Sequence, residues 1–112
     1  MQSITFLNRH LKTLTGAVHN HSEYSHDSSA KIDEILKAAK SNRLDFLTLN
    51  DHHNIFPESE LNKALSRHKE KYNYKPLVML GAELNDPNEL HHLLIFDQPI
   101  PSEGKEIEEY LE

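Results

Sequence analysis

Histidine is the residue type in this chain that most strongly indicates chemistry. It occurs nine times in 112 residues, twice as an adjacent pair, at His52-His53 and at His91-His92. Imidazole is useful to a protein mainly where it titrates or binds a metal, so this frequency indicates metal ligands. Cysteine is absent, which excludes thiolate sites, and any metal must therefore be held by nitrogen and oxygen atoms.

The first candidate ligand set is the histidine-x-histidine motif of His19 and His21. Residues 15–21 are predicted to form a strand, and alternate residues of a strand point to the same side. Two imidazoles on one side can bind one ion, an arrangement that is frequent in the metal sites of hydrolases. The alternative is a pair of solvated or hydrogen-bonded structural histidines, which is the commoner case for this short motif on its own.

The polar segment that follows, residues 22–29, offers further ligands. His26 or Asp27 lies close enough in sequence to reach a second ion beside the first. The alternative is that Asp27, with Ser28 and Ser29, forms a turn and caps the next helix.

Apolar patterning predicts the elements that must position these residues. Spacing of three and four residues indicates helices, and nearly continuous apolar runs indicate strands buried on both faces. The order β-α-β-α-β-β predicts a mainly parallel α/β sheet, whose site gathers at the carboxyl ends of the strands. A Pro-rich loop over 98–104 and an acidic helix from 105 are expected to follow. The predicted strands and helices, in chain order, are residues 15–21, 30–42, 45–50, 58–72, 76–82 and 93–96.

Polar residues stand where these strands end. Asp51 and His52 come just beyond the second predicted strand, and Glu83 comes just beyond the third. His91 and His92 stand at the start of the fourth strand. Each position alone is common in proteins for solubility, but together they converge with the histidine-x-histidine motif on one edge of the sheet.

These residues resemble the PHP domain, the polymerase and histidinol phosphatase superfamily of metal-dependent phosphoesterases. The resemblance covers about residues 15–97. Asn50 stands where the family has threonine, His53 is an additional residue, and serines stand where glycine often follows the first motif. The three matching motifs are VHNHSEYSHDS at 18–28, LTLNDHHN at 47–54, and GAE at 81–83 with HLL at 92–94.

The resemblance implies a site for up to three divalent ions, which could be Zn, Mn or Fe because the ligands are nitrogen and oxygen. His19 and His21 would bind one ion. Asp27 and His52 would contribute to a second, and Glu83 would bridge two ions.

Two further roles are implied at His92 and Asp51. His92, with His91 as the competing assignment, would complete a third metal position. Asp51 is the candidate catalytic residue, in the sense that its carboxylate orients the site by fixing a histidine tautomer or restraining the loop.

The resemblance also implies a fold and a function. The fold would be the N-terminal part of a distorted (β/α)7 TIM-like barrel, with residues 1–14 as a lead-in and 15–112 as the front half of the domain. The function would be hydrolysis of a phosphomonoester, or of a nucleotide or nucleic-acid phosphodiester, by metal-bound hydroxide. Activity would need the later segments or a partner chain that completes the barrel, by self-association or otherwise. The alternative is a non-catalytic remnant or metal-binding module.

Charge and hydropathy limit the partners. Twelve basic and 18 acidic residues give a net charge of -6, which attracts metal cations and repels polyanions. We therefore expect a phosphorylated small molecule or nucleotide as substrate rather than nucleic acid. No apolar run approaches the roughly 20 residues of a membrane helix, and no signal peptide is evident, so we expect no membrane partner and a cytoplasmic location.

Overall fold

A computed structural model describes residues 2–6, 9–85 and 92–96, with side chains described at Ser3 and over residues 10–85. The loop and helix predicted beyond residue 97 lie outside these residues. No helix among the described residues combines the length and apolar character needed to cross a lipid bilayer. In chain order the elements are β1 (Gln2–Phe6), β2 (Arg9–Thr13), β3 (Gly16–Asn20), α1 (Ile32–Ser41), β4 (Phe46–His52), α2 (Glu58–Tyr72), β5 (Leu77–Asn85) and β6 (His92–Phe96).

The main sheet has four strands in the order β3-β4-β5-β6. Strands β3, β4 and β5 are parallel, and β6 pairs antiparallel with β5. This arrangement confirms the predicted α/β class with mainly parallel strands, of which three are described, and the incomplete barrel stays a prediction. The carboxyl ends of the three parallel strands meet at one edge, which is where the candidate ligands were expected.

Strands β1 and β2 form a separate antiparallel pair, in which Ile4 lies opposite Leu11. The sequence predicts only a lead-in over residues 1–14, without secondary structure. Alternation of Ile4 and Phe6 with polar residues was the available signal for a strand, but it spans too few residues to be distinctive.

The hydrophobic core lies between the two helices and one face of the main sheet. Leu47 and Leu49 of β4 are almost fully buried against Leu36 of α1 and Ala64 of α2. Phe56, in the connection between β4 and α2, completes this layer with 1% of its surface exposed. Because both helices cover the same face, Leu47 and Leu49 pack against helices, while Thr48 and Asn50 alternate with them and point to the other face.

Both helices bury the stripe that their apolar spacing predicts. In α1 the buried residues are Ile32, Leu36 and Ala39, and acidic residues in the first turn favour the helix dipole. In α2 they are Leu61, Ala64, Leu65 and His68. The helix α2 ends at Tyr72 because Asn73 adopts the left-handed conformation, with φ 52°, that commonly terminates helices.

Strands β4 and β5 extend farther than the sequence predicts. The predicted strands end at Asn50 and Ala82, but parallel pairing continues through His52 opposite Glu83. An apolar run marks only where side chains are buried in a hydrophobic layer, whereas the ladder is made by backbone groups and can continue through polar residues. Asp51, His52 and Glu83 therefore lie on strands and not in the loops beyond them.

Candidate metal centre

A β-bulge in β3 positions the first histidine. Ala17 pairs with Leu47 and Asn20 with Leu49, so two residues of β3 lie opposite one residue of β4. His19, within the bulge, has φ 71°, in the left-handed region that residues with a side chain rarely adopt. Simple alternation along a regular strand therefore does not describe how His19 and His21 come together.

Glu83 lies between the two imidazoles of the histidine-x-histidine motif. Its oxygen Oε1 is 3.1 Å from His21 Nε2 and is in still closer contact with His19 Nε2. The Glu83 side chain is only 4% exposed, whereas that of His19 is 43% exposed. A buried carboxylate thus faces two nitrogen donors at a position that opens to solvent on one side.

Asp27 forms a second contact point on the other side of His21. Both of its oxygens are 3.0 Å from His21 Nδ1, and Oδ2 is also 3.0 Å from His52 Nε2. The Ser25 hydroxyl donates a 2.6 Å hydrogen bond to Oδ1. This hydrogen bond, with the contacts from His21 and His52, holds the pKa of Asp27 well below its usual range, although burial acts in the opposite direction. The carboxylate is therefore ionised at neutral pH.

His52, at the end of β4, contacts several neighbouring residues besides Asp27. Its backbone N–H donates to Ser25 Oγ at 3.2 Å, and its Nδ1 lies 3.2 Å from the side-chain amide of Asn85. The same Nδ1 is 3.6 Å from Glu83 Oε2. The ring also packs edge-on against His21, with 4.6 Å between ring centroids. His52 is thus held with Nε2 directed at Asp27.

The donor atoms form two groups that suit divalent ions. His19, His21 and Glu83 make one group, and His21, Asp27 and His52 make the other, each with its ligand atoms within 4.8 Å of one another. All donors are imidazole nitrogen or carboxylate oxygen, the set that Zn, Mn and Fe accept. Two carboxylates beside three imidazoles also give the site the negative charge that a cation requires. The residues present therefore fit bound metal.

Five of the predicted ligands are brought together, and Asp51 lies apart from the donor atoms. Asp51 is fully buried and contacts Ser22 rather than the donor groups. The backbone of His92 begins β6 opposite Asn85, two residues from Glu83 in β5. The structure describes neither the side chain of His92 nor any part of His91. Their roles as metal ligands therefore stay predictions. The brought-together set is His19, His21, Asp27, His52 and Glu83.

The proposed helix-capping role of Asp27, Ser28 and Ser29 is wrong. Helix α1 begins at Ile32, and Lys31 precedes it without any side-chain capping bond. Ser28 instead accepts a hydrogen bond from the backbone N–H of Ala30 at 3.2 Å, within the loop. Turn formation is thus correct for Ser28, while Asp27 is directed into the histidine cluster.

Several supporting residues do not follow from the sequence pattern. Ser25 and Asn85 orient Asp27 and His52, and Ser22 anchors the loop that carries Asp27. The serine-rich composition of the loop was the signal for Ser22 and Ser25, since buried hydroxyls there need polar partners. Asn85 has no comparable signal, because its partner is fixed only by the register of β4 with β5.

Fold and site together define an α/β protein with histidine and carboxylate donors at the carboxyl edge of parallel strands, as in metal-dependent hydrolases of this architecture. The family model for the PHP domain matches residues 17–101, which is most of the chain, and the protein therefore belongs to the PHP domain family. This is a family of metal-dependent hydrolases. Comparisons with curated proteins and with solved structures give no match.

Proposed function

We propose that this protein is a metal-dependent phosphoesterase that hydrolyses a phosphomonoester or a nucleotide. The observation that carries this proposal is the placement of His21 between two carboxylates, Glu83 through Nε2 and Asp27 through Nδ1. The Glu83 carboxylate is only 4% exposed, and a buried carboxylate is stable only beside positive charge or strong donors. A cation held by the imidazoles would supply this charge.

The residue assignments follow the contacts. His19 Nε2, His21 Nε2 and Glu83 Oε1 would hold one ion. A neutral imidazole that binds through Nε2 carries its proton on Nδ1, so His21 would donate this N–H to Asp27. Asp27 and His52 would then contribute ligands to the second ion. His92, or His91, remains the proposed ligand for a third.

The chain's own residues define what the site can do with a phosphate ester. When bound, divalent ions would activate water and neutralise the charge on phosphate oxygens. His19 is the most exposed of the three imidazoles and lies on the open side of the site, where a substrate can approach. The net charge of -6 favours a small phosphorylated substrate over a polyanion such as nucleic acid.

Metal content and phosphate release test this function together. Elemental analysis of the purified protein would give bound Zn, Mn and Fe, and release of phosphate would be measured from p-nitrophenyl phosphate and a short oligonucleotide. We expect metal-dependent turnover, with a preference for the small ester, which is lost in His21→Ala. His10→Ala is the matched control, because it makes the same change at an exposed histidine of β2 in the separate hairpin.

The outcomes separate the two functional classes. Turnover that requires added metal and His21, but not His10, supports the phosphoesterase. Metal binding without turnover supports a non-catalytic metal-binding module instead. A protein that binds no Zn, Mn or Fe contradicts both.

A further inference from the structure

Thr48 lies directly beneath the bulge that carries His19, and it contacts neither carboxylate of the candidate metal centre in any described hydrogen bond. We propose that Thr48 is a positioning residue that holds His19 in its left-handed conformation, and so directs the His19 imidazole onto Glu83. The proposal concerns the geometry of the protein itself. Its consequence for metal affinity rests on the proposed metal-dependent function.

The backbone of His19 needs a specific compensation. A left-handed residue with a side chain places Cβ too close to the following carbonyl oxygen, so this conformation persists only where neighbouring contacts impose it. The contact here is a 2.8 Å hydrogen bond from the His19 backbone N–H to Thr48 Oγ1. Because the bulge interrupts the β3–β4 ladder between Ala17 and Asn20, this side-chain oxygen takes the place of a ladder carbonyl.

The Thr48 hydroxyl is oriented to accept this bond. Its own hydrogen is donated to Asn50 Oδ1 at 2.7 Å, which leaves the oxygen lone pairs available to the His19 N–H. Thr48 and Asn50 are 1% and 0% exposed, so water cannot substitute for either partner. The direction of the hydroxyl is therefore set by the protein and not by solvent.

A second contact to Thr48 closes the bulge from the other side. The Asn20 side-chain amide donates to the backbone oxygens of Ala17 and Thr48, both at 3.0 Å. These two bonds span the extra residue and tie its ends to β4. Asn20 holds the ends of the bulge, and Thr48 determines the conformation of His19 within it.

The position of the bulge matters for the donor groups because register determines which way side chains point. A change of one residue in pairing moves side chains to the opposite face of a sheet. Without the bulge, and with Ala17 still opposite Leu47, His19 would move opposite Leu49. His19 and His21 would then both point to the face of Leu49, away from Glu83. Thr48 thus acts on the site through the backbone of His19.

The test compares Thr48→Val, which keeps the shape but removes the hydroxyl, with Thr48→Ser, which keeps the hydroxyl. In EDTA-treated protein, NMR coupling between the amide and α protons of His19 reports its φ angle. Calorimetric titration with Zn then gives the affinity. We expect Thr48→Val to lose the positive φ of His19 and to bind Zn about 10- to 100-fold more weakly, as for other groups that orient ligands. Thr48→Ser should retain both properties.

Two additional variants keep the test decisive. Leu65→Ala destabilises the core at α2, away from the bulge, and controls for general loss of stability. If Thr48→Val does not fold, Thr48→Val combined with Asn50→Leu replaces both hydrogen-bonding partners by apolar groups of similar shape, which is often tolerated. The other amide atom of Asn50, Nδ2, is buried without a partner among the described residues, so its removal should cost little.

The outcomes distinguish this inference from the proposed function. A folded Thr48→Val protein with a positive φ at His19 and wild-type Zn affinity overturns the inference. An equal loss of affinity in Leu65→Ala also overturns it, because the effect would then be one of stability. If the wild-type protein binds no Zn, the proposed function fails, while the NMR measurement on metal-free protein still decides the role of Thr48.

Discussion

Ser22 donates two hydrogen bonds to the carboxylate of Asp51, one from its backbone N–H to Oδ1 and one from its hydroxyl to Oδ2 at 2.6 Å. Both residues are fully buried. Asp51 therefore attaches to β4 the start of the loop that carries Asp27. It supports the site by holding this loop in place and not by contacting the donor atoms. Asp27, five residues after Ser22, depends on this attachment for its position beside His21.

Replacement of Asp51 by asparagine should loosen the loop. The amide offers one acceptor where the carboxylate offers two, and one buried donor of Ser22 loses its partner. We expect the free energy of unfolding to fall by about 1–3 kcal/mol, measured by urea denaturation of metal-free protein. Asp33→Asn, at an exposed position of α1 where the carboxylate pairs with Arg67 and contacts His68, is the matched control and should lower stability by at most about 1 kcal/mol. Equal stability in Asp51→Asn and wild type would contradict the attachment.

Replacement of Glu83 by glutamine should reduce metal binding without disturbing the sheet. The change keeps the size of the side chain but removes the charge that faces His19 and His21. We expect fewer bound equivalents of Zn by elemental analysis and an unchanged far-ultraviolet circular dichroism spectrum. Glu34→Gln, on the exposed face of α1, should keep wild-type metal content. Full occupancy in Glu83→Gln would exclude this carboxylate as a ligand.

Asn85 should influence the affinity at His52. Its side-chain nitrogen Nδ2 lies 3.2 Å from His52 Nδ1, so the amide donates to Nδ1 and favours the tautomer that carries its proton on Nε2. A histidine that binds metal through Nε2 must instead carry this proton on Nδ1, where an acceptor stabilises it. We expect Asn85→Asp to strengthen Zn binding roughly 10-fold or more, because its carboxylate accepts the N–H of Nδ1 and leaves Nε2 free to bind, whereas Asn85→Leu only removes the donor and should change the affinity less. Calorimetry on both variants measures this, and equal affinity in Asn85→Leu and Asn85→Asp would show that the contact is unimportant.

The hydroxyl of Tyr74 should make the stability of the protein depend on pH. This effect does not involve the metal centre. The Tyr74 hydroxyl donates to the Leu44 carbonyl at 2.9 Å, and burial, assisted by the nearby charge of Asp45, raises the pKa of Tyr74. A raised pKa in the folded state means that this stabilisation is complete below the unfolded value, about 10, and is lost as pH rises through the folded value.

Comparison of wild type with Tyr74→Phe isolates this effect. We expect the variant to be less stable by ~1 kcal/mol at pH 7, because the hydrogen bond is lost, and the difference to shrink above pH ~10. Urea denaturation across this range measures it, with Tyr72→Phe, an exposed position of α2, as the control. A difference that grows with pH would contradict the sign of the shift.

The elements with strong local patterns could be predicted from the sequence. Helix α2 has the predicted bounds, because Pro57 precedes it and its apolar residues keep helical spacing to the end. Strands β4 and β5 were predicted too short, because the apolar run ends before the backbone ladder does. The hairpin of β1 and β2 was missed for a related reason, since its strands are short and largely polar.

In the candidate site, too, local patterns predict some features and long-range contacts determine the others. Convergence of His52 and Glu83 follows from their places at neighbouring strand ends, so sequence and resemblance suffice to group them. The bond of Thr48 to His19 and that of Ser22 to Asp51 each join residues 29 positions apart. No local pattern encodes such contacts, because they depend on the register between β3 and β4 and on the path of the loop.

His21 contacts one carboxylate through each of its ring nitrogens. A neutral ring carries one proton, so a cation that arrives at Nε2 must leave this proton on Nδ1, facing Asp27. The tautomer of His21 therefore depends on whether a cation occupies the position that His21 Nε2 faces. Two nitrogen resonances from His21 would be enough to follow the loading of the position that it shares with His19 and Glu83 in solution.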